Sequence, residues 1–68
     1  MSDMTTAHAP VTGMDLKLQR VAAGVTQTAI AGQMGCWRQT VSVIEGALRP
    51  PRHQVQRYRV ALDQLTSR

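Results

Sequence analysis

Residues 26–45, TQTAIAGQMGCWRQTVSVIE, decide the fold of this 68-residue chain. Thr26 is a residue type that often caps a helix, and the apolar spacing that follows predicts a short helix from residue 27 to residue 34. Gly35 can take the left-handed backbone conformation that ends a helix, at little cost in free energy. This half of the stretch therefore predicts a capped helix of about two turns that stops at a glycine.

The other half predicts a second helix over residues 37–45, with Val41 and Ile44 on its apolar face. The connecting turn is too short for the two helices to lie antiparallel, so they must cross at a steep angle. Such a crossing needs a small residue at the contact, a glycine in the turn and a branched apolar residue on the second helix. Ala31, Gly35 and Val41 meet these needs in register, which indicates a helix-turn-helix.

On the N-terminal side, Thr12 can cap a first helix, with Asp15 in its acidic first turn. Three residues at helical spacing then share one face, namely Leu16, Arg20 and Ala23. Gly24 is expected to stop this helix. Residues 1–11 are polar, small and without a sustained period, so we expect a flexible tail followed by one domain over residues 12–68.

On the C-terminal side, Pro50 and Pro51 break the chain before a last helix that is expected to reach about Thr66. Its apolar residues recur at spacings of three and four, at Val55, Tyr58, Leu62 and Leu65. The predicted fold is an all-α compact bundle of four short helices, or five if the end of the chain adds another. A chain with 43% apolar residues can close one modest core of this kind.

Composition limits the classes of function. A single cysteine, Cys36, excludes an internal disulfide framework and suits a reducing compartment, and we expect a small turn residue there and not a nucleophile.

No apolar run approaches the length of a membrane span, and the start of the sequence lacks a secretion signal, so a cytoplasmic location is expected. Neither His8 nor His53 has a second metal-binding residue at the helical spacing that would let the two hold a metal ion together. Without paired carboxylates, a phosphate loop or a nucleophile constellation, we expect no enzyme, no metal and no cofactor.

The positive charge lies in one half of the chain. The net charge is +4, yet residues 1–34 are neutral, whereas residues 35–68 carry six arginines against two acidic residues. Arginine outnumbers lysine seven to one, which favours bidentate recognition of phosphate or guanine. A solvated basic face would give the same composition. The asymmetry indicates a polyanionic partner.

The segment LKLQRVAAGVTQTAIAGQMGCWRQTVSVIEGALRPP, residues 16–51, resembles the lambda-repressor-like (Cro/C1, or XRE) helix-turn-helix family. The resemblance extends over residues 16–62, about two thirds of the chain. The matching positions are Arg20, Thr26-Gln27, Ile30-Ala31, Gly35, Arg38-Gln39-Thr40, Val41 or Ile44, and Glu45. The resemblance implies a small DNA-binding regulator of bacterial or phage origin.

The chain departs from the family pattern at both ends of the predicted recognition helix. Gly46-Ala47 stands where the family has Asn-Gly, which removes a polar side chain that can hold the DNA backbone. Trp37 stands where a Ser or Thr usually caps the helix, a poor cap that costs about 1 kcal/mol. Trp37 could donate its indole N–H to a phosphate or pack on Met34, and we favour the contact with DNA.

By resemblance, one set of residues reads bases in the major groove: Arg38, Gln39, Ser42 and Val43. The chemistry agrees, because Arg can bind guanine bidentately, Gln adenine, Ser either, and Val can contact a thymine methyl group. A second set is expected on the DNA backbone: Gln27, Trp37, Thr40, Arg49 and Arg52. The resemblance also implies a buried ion pair between Arg20 and Glu45 that ties the first helix to the recognition helix.

The resulting prediction is a sequence-specific regulator of transcription that binds double-stranded DNA, most simply a repressor of phage, plasmid or mobile-element type. A homodimer on a palindromic operator is expected, formed through the last helix, where Val60 and Leu65 are expected to be exposed. Two alternatives stay open. One is an antitoxin or other module that binds a protein partner as well as DNA, and the other is a nonspecific architectural DNA binder.

Overall fold

The computed structural model describes residues 11–67, and over that range the chain is all-helical, as predicted. The four helices are α1 (Gly13–Ala22), α2 (Gln27–Met34), α3 (Arg38–Gly46) and α4 (Arg52–Thr66). The predicted tail lies outside the described residues except for Val11. That residue packs against the core, so the tail prediction is wrong there. None of the helices in residues 11–67 is long and apolar enough to cross a membrane.

Local capping sets where α1 begins. The Thr12 side chain accepts a hydrogen bond from the Asp15 amide at 3.1 Å, and the Asp15 carboxylate accepts one from the Thr12 amide at 3.0 Å. This reciprocal capping box satisfies two amides that the first turn of a helix leaves without partners. The helix ends before Gly24, which has a φ of 73°. The predicted start and stop of the first helix are therefore confirmed.

The steep turn between α2 and α3 is closed in the predicted way. Thr26 caps α2 by accepting a hydrogen bond from the Ala29 amide, and Gly35 ends it in the left-handed region with a φ of 71°. The Cys36 amide then donates to the Ala31 carbonyl at 3.0 Å. Only a residue that tolerates positive φ lets the chain reverse so quickly, so Gly35 fixes where α3 starts.

The core lies where the four helices meet. Both α1 and α2 pack against α3 and α4. Nine buried apolar residues form the core: Leu16, Ile30, Ala31, Met34, Val41, Ile44, Val55, Tyr58 and Ala61. Each comes from the apolar face of its helix, so the pattern of spacings in the sequence identifies which side of α3 is buried. The opposite side of α3 is left to the solvent.

Some boundary and burial predictions are wrong. Ala23, expected on the buried face of α1, is the C-cap of that helix and is exposed. Trp37 is the N-cap of α3, so that helix runs one residue later than predicted at both ends. On α4 the buried position after Tyr58 is Ala61, whereas Leu62, predicted on the apolar face, is only half-buried. Ala61 therefore belongs to the inward face of α4.

Gly13 has a role that sequence reasoning did not predict. Its amide donates to the Ala47 carbonyl at 2.8 Å, which joins the start of α1 to the residue after α3. A Cβ atom at this position would lie 2.2 Å from the Ile44 carbonyl oxygen and 2.5 Å from the Glu45 carbonyl oxygen. Those atoms are backbone and cannot move aside cheaply. The close approach of α1 to the end of α3 therefore requires glycine.

Candidate nucleic-acid interface

The C-terminal end of α3 is held by a buried ion pair. Arg20 on α1 donates from Nε to Glu45 Oε2 at 2.7 Å and from Nη2 to Glu45 Oε1 at 3.2 Å. The remaining Arg20 nitrogen, Nη1, donates to the Val25 carbonyl at 2.8 Å. Arg20 is 9% exposed and Glu45 6% exposed. This bidentate geometry makes the pair a rigid link between α1 and α3.

Two further side chains complete the environment of Glu45. The Tyr58 hydroxyl donates to Glu45 Oε2 at 2.5 Å, with the Leu16 carbonyl oxygen 3.3 Å away, and Gln27 Nε2 donates to Glu45 Oε1 at 2.9 Å. One carboxylate on α3 thus accepts from all three other helices. Within residues 11–67, every buried side-chain nitrogen and oxygen has a hydrogen-bond partner. We call Arg20, Gln27, Glu45 and Tyr58 the Glu45 network.

The network changes the pKa values of its members. Burial by itself would raise the pKa of Glu45, but hydrogen bonds from Arg20, Tyr58 and Gln27 and the charge of Arg20 outweigh it and hold the pKa below its ordinary value. The pKa of Arg20 is raised, chiefly by its hydrogen bond to Glu45. Burial and the neighbouring carboxylate raise the pKa of Tyr58. The ion pair is therefore charged at neutral pH, and the phenol stays a donor.

Gln27 connects this network to the exposed end of α3. While its Nε2 donates to Glu45, its Oε1 accepts a hydrogen bond from Arg38 Nη1 at 3.1 Å. The amide orientation is fixed by these two partners, because only Oε1 can accept and only Nε2 can donate. Gln27 was predicted to contact the DNA backbone, and in this structure its side chain joins two residues of the fold instead. Arg38 and Gln27 line one shallow cleft together.

The outward face of α3 carries every residue predicted to read bases. The exposed set is Arg38, Gln39, Ser42 and Val43. Val41, Ile44 and Glu45 are buried on the other side, and Thr40 at the edge is half-buried. The exposed face presents a guanidinium, an amide, a hydroxyl and a small apolar group in four positions over about one and a half turns of helix. That set of donors, acceptors and apolar surface can match the edges of base pairs.

The N-terminal end of α3 is open. Trp37 is its N-cap, makes no side-chain capping hydrogen bond and is 82% exposed. At this exposure the indole is not buried against Met34, which was one of the two predicted arrangements of Trp37. The carbonyl oxygen of Trp37 accepts hydrogen bonds from the backbone amides of Thr40 and Val41, at 2.9 Å and 3.3 Å. The helix therefore starts at this residue without using its indole.

The loop after α3 is anchored between two exposed arginines. Pro50 is buried, whereas Arg49 and Arg52 on either side are exposed. Because a proline has a fixed φ angle, burying Pro50 limits the directions that the two arginines can take. Arg57 is different, since its Nη2 donates to the Met34 carbonyl at the end of α2. That guanidinium is used within the fold, where it satisfies a helix C-terminus.

Sequence reasoning missed the hydroxyl of Tyr58. The residue was predicted only as part of the apolar face of the last helix, yet its phenol is a donor in the Glu45 network. A signal was available, because a buried tyrosine hydroxyl needs a partner. Among the residues predicted to be buried, Glu45 was the strongest acceptor. No such signal in the sequence indicated that Gln27 would hydrogen-bond to both Glu45 and Arg38.

Comparison with known proteins adds no family to this geometry. No protein-family model matches the chain, and neither the curated proteins nor the solved structures give a match. Three features of the site bear on function: an exposed face of α3 with four groups suited to base edges, two exposed arginines in the sequence that follows α3, and a buried network that holds the helix on its other side.

Proposed function

We propose that this chain is a sequence-specific regulator of transcription that binds double-stranded DNA through α3 and acts in the cytoplasm of a bacterium. The single observation that carries the proposal is the division of α3 into two faces. Arg38 and Gln39 lie on the exposed face, and the buried face holds the Glu45 network. A reading helix needs this division, since its base contacts must be solvent-exposed while its orientation is fixed by the rest of the domain.

The chemistry assigns each exposed residue a role. Arg38 binds guanine O6 and N7, and Gln39 binds adenine N6 and N7. Ser42 hydrogen-bonds to either, and Val43 contacts a thymine methyl group. Arg49, Arg52 and Thr40 bind phosphates. Bases determine the sequence preference, while the phosphate contacts set the register and most of the affinity.

The mechanism is steric. A domain bound to an operator excludes polymerase from the promoter, as expected of a repressor of phage, plasmid or mobile-element type. The described residues offer a binding surface and no catalytic constellation, so we propose a binding module and not an enzyme. One domain reads half a site, and a homodimer on a palindromic operator supplies a second α3 about 34 Å away.

The dimer surface that we propose is on α4. Val60 is 49% exposed and Leu65 is 37% exposed, as the sequence predicted. Sedimentation of the protein with and without an operator duplex tests this assembly. Two chains per palindromic duplex are expected, and Val60→Glu should reduce the cooperativity of binding. One chain per duplex on a site without two-fold symmetry would exclude the dimer.

Selection of bound sequences from a random duplex pool, followed by a salt titration, tests the function. We expect a preferred site and an affinity that falls steeply with salt, because each neutralised phosphate releases counterions. Arg38→Ala should cost about 1–3 kcal/mol of binding and relax the preference at its base pair. Arg49→Ala should weaken all sequences alike and reduce the salt slope by about one. A flat salt response, or no preferred site, would contradict the proposal.

A second candidate function, the antitoxin or partner-binding module, is favoured by the outer face of α1. Met14, Leu18 and Val21 recur at spacings of four and three and are 53%, 59% and 56% exposed. Three large apolar residues on one exposed stripe are typical of a contact with another protein. Co-purification of a partner that Leu18→Glu releases, with operator affinity unchanged, would support this function. If the protein binds DNA and no such partner co-purifies, the regulator of transcription is the supported function and the partner-binding module is not.

A further inference from the structure

The indole of Trp37 is the largest side chain exposed beside the proposed reading face. It is 82% exposed and does not cap α3, the helix that it precedes. A serine or threonine here would stabilise the helix better, so tryptophan is locally unfavourable. A residue that costs stability and leaves most of its side chain in solvent is explained most simply by a contact outside the fold.

The chemistry of the side chain indicates which part of DNA it contacts. An indole has one N–H donor on a large apolar ring. A bond to phosphate would use the N–H and leave the ring in water, whereas an apolar partner would bury the ring and gain its hydrophobic free energy. On base edges in the major groove, the apolar group is the C5-methyl of thymine.

The position of Trp37 indicates which thymine. Residues at the N-terminal end of a recognition helix contact base edges, and Trp37 immediately precedes Arg38. Arg38 is oriented by Gln27 and is the proposed guanine reader. Leu48 is equally exposed at 82%, but it follows the C-terminal end of α3. Exposure alone therefore does not select Trp37, and its place beside the guanine reader does.

We infer that Trp37 is a specificity-determining residue that packs on the C5-methyl group of a thymine next to the base pair read by Arg38. This inference rests on the proposed function. It replaces a phosphate contact of the indole with a base contact. It also requires the preferred site to contain a thymine adjacent to the guanine whose recognition Arg38→Ala relaxes.

Replacement of single thymines by uracil in the selected duplex tests the inference, because uracil lacks only the methyl group. At the thymine that Trp37 contacts, we expect the uracil replacement to weaken wild-type binding about fourfold. This is the change in affinity that corresponds to the loss of one buried methyl group. Trp37→Ala should bind the thymine and uracil duplexes equally. Trp37→Phe, which keeps an apolar ring without the N–H, should retain most of the discrimination. A thymine read by Val43 keeps its uracil penalty in Trp37→Ala and is thereby distinguished.

Leu48→Ala is the matched control, since it removes an equally exposed apolar side chain at the other end of α3. It should keep the full uracil penalty. Trp37 is also the sole tryptophan, so acrylamide quenching of its fluorescence reports the contact directly and should fall when the duplex is added. If Trp37→Ala fails to fold, by circular dichroism, Trp37→Ser restores a preferred cap and takes its place.

Two results would overturn the inference while leaving the proposed function intact. One is that every thymine with a uracil penalty keeps that penalty unchanged in Trp37→Ala. The other is equal weakening by Trp37→Phe and Trp37→Ala with no uracil penalty at the thymines next to the guanine read by Arg38, which would assign the indole N–H to a phosphate. A protein that binds no duplex, or binds all duplexes alike, would instead contradict the proposed function, and the inference with it.

Discussion

Near its C-terminal end α3 carries the buried and hydrogen-bonded carboxylate of Glu45, whereas its N-terminal end is exposed and begins without a side-chain cap. At the first end, Glu45 accepts hydrogen bonds from residues on α1, α2 and α4. At the second, Trp37 extends into solvent and Arg38 has one partner within the fold, Gln27. Both ends belong to one helix of only nine residues.

The contrast indicates that the two ends of α3 have different roles. The buried end fixes the helix against the domain, because a carboxylate with several well-placed donors allows few orientations. The exposed end keeps its groups available for another molecule. If this division holds, substitutions at the first end should change stability, and substitutions at the second should change binding with small or even favourable effects on stability.

The largest expected effect comes from removing a partner of Glu45. Arg20→Ala leaves a carboxylate buried without its counter-charge, and it should lower the free energy of unfolding by about 3–5 kcal/mol. Thermal and urea unfolding followed by circular dichroism measures this loss. Lys17→Ala removes a positive charge from the exposed face of the same helix and should change stability little. A normal melting temperature for Arg20→Ala, with lost base discrimination, would reverse the assignment.

The next effect concerns the contact between α1 and the end of α3. Gly13→Ala places a methyl group against the carbonyl oxygens of Ile44 and Glu45, so we expect a loss of about 2–3 kcal/mol. Gly32→Ala is the matched control, because nothing lies within 4 Å of a Cβ there and the position is inside α2. That control should stabilise the domain by about 0.5–1 kcal/mol. Equal melting temperatures for the two variants would contradict the close approach.

Acidification should have a smaller effect, because a protonated Glu45 still accepts some of its hydrogen bonds. The pKa of Glu45 is lower in the folded chain than its ordinary value of 4.5. The folded state therefore binds this proton less readily than the unfolded state does, and the stabilisation is fully present above the unfolded pKa. It is lost as the pH falls through the folded pKa. Urea unfolding at a series of pH values from about 7 to about 3 measures the loss, because this range begins above the ordinary pKa of Glu45 and extends below it.

The control for acidification is Glu45→Gln, which cannot titrate at this position. The difference in unfolding free energy between wild type and Glu45→Gln should be constant near neutral pH and should shrink as the pH falls. A difference that does not depend on pH would show that Glu45 does not carry the acid sensitivity.

The smallest effect on stability is expected at the exposed end, with the opposite sign. Trp37→Ser introduces a favoured capping residue where no side-chain cap exists and should stabilise the domain by about 0.5–1 kcal/mol. The same variant should weaken binding to the selected duplex. Paired measurements of melting temperature and operator affinity test both statements. A variant that is less stable than wild type would show that the indole supports the fold.

Local sequence features predicted most of the architecture because they act over short distances. Thr12 and Thr26 predicted where helices start, and Gly35 predicted the left-handed turn. These features are properties of neighbouring residues, so they can be recognised without the rest of the chain. Boundaries were less accurate: a helix stretch was predicted from Trp37, which is the N-cap of α3. The exposure of Arg38, Gln39, Ser42 and Val43 on one face of α3 followed from spacing alone.

The sequence by itself determined an all-helical bundle, the steep turn at Gly35 and the outward direction of Arg38 and Gln39, since helical periodicity separates buried from exposed positions. Only the tertiary structure decided how Glu45 is shared among helices, why Gly13 must be glycine and that Gln27 links Glu45 to Arg38. These features depend on distances between atoms that are far apart in sequence. Such distances are set when the helices pack, and no pattern within a single helix encodes them.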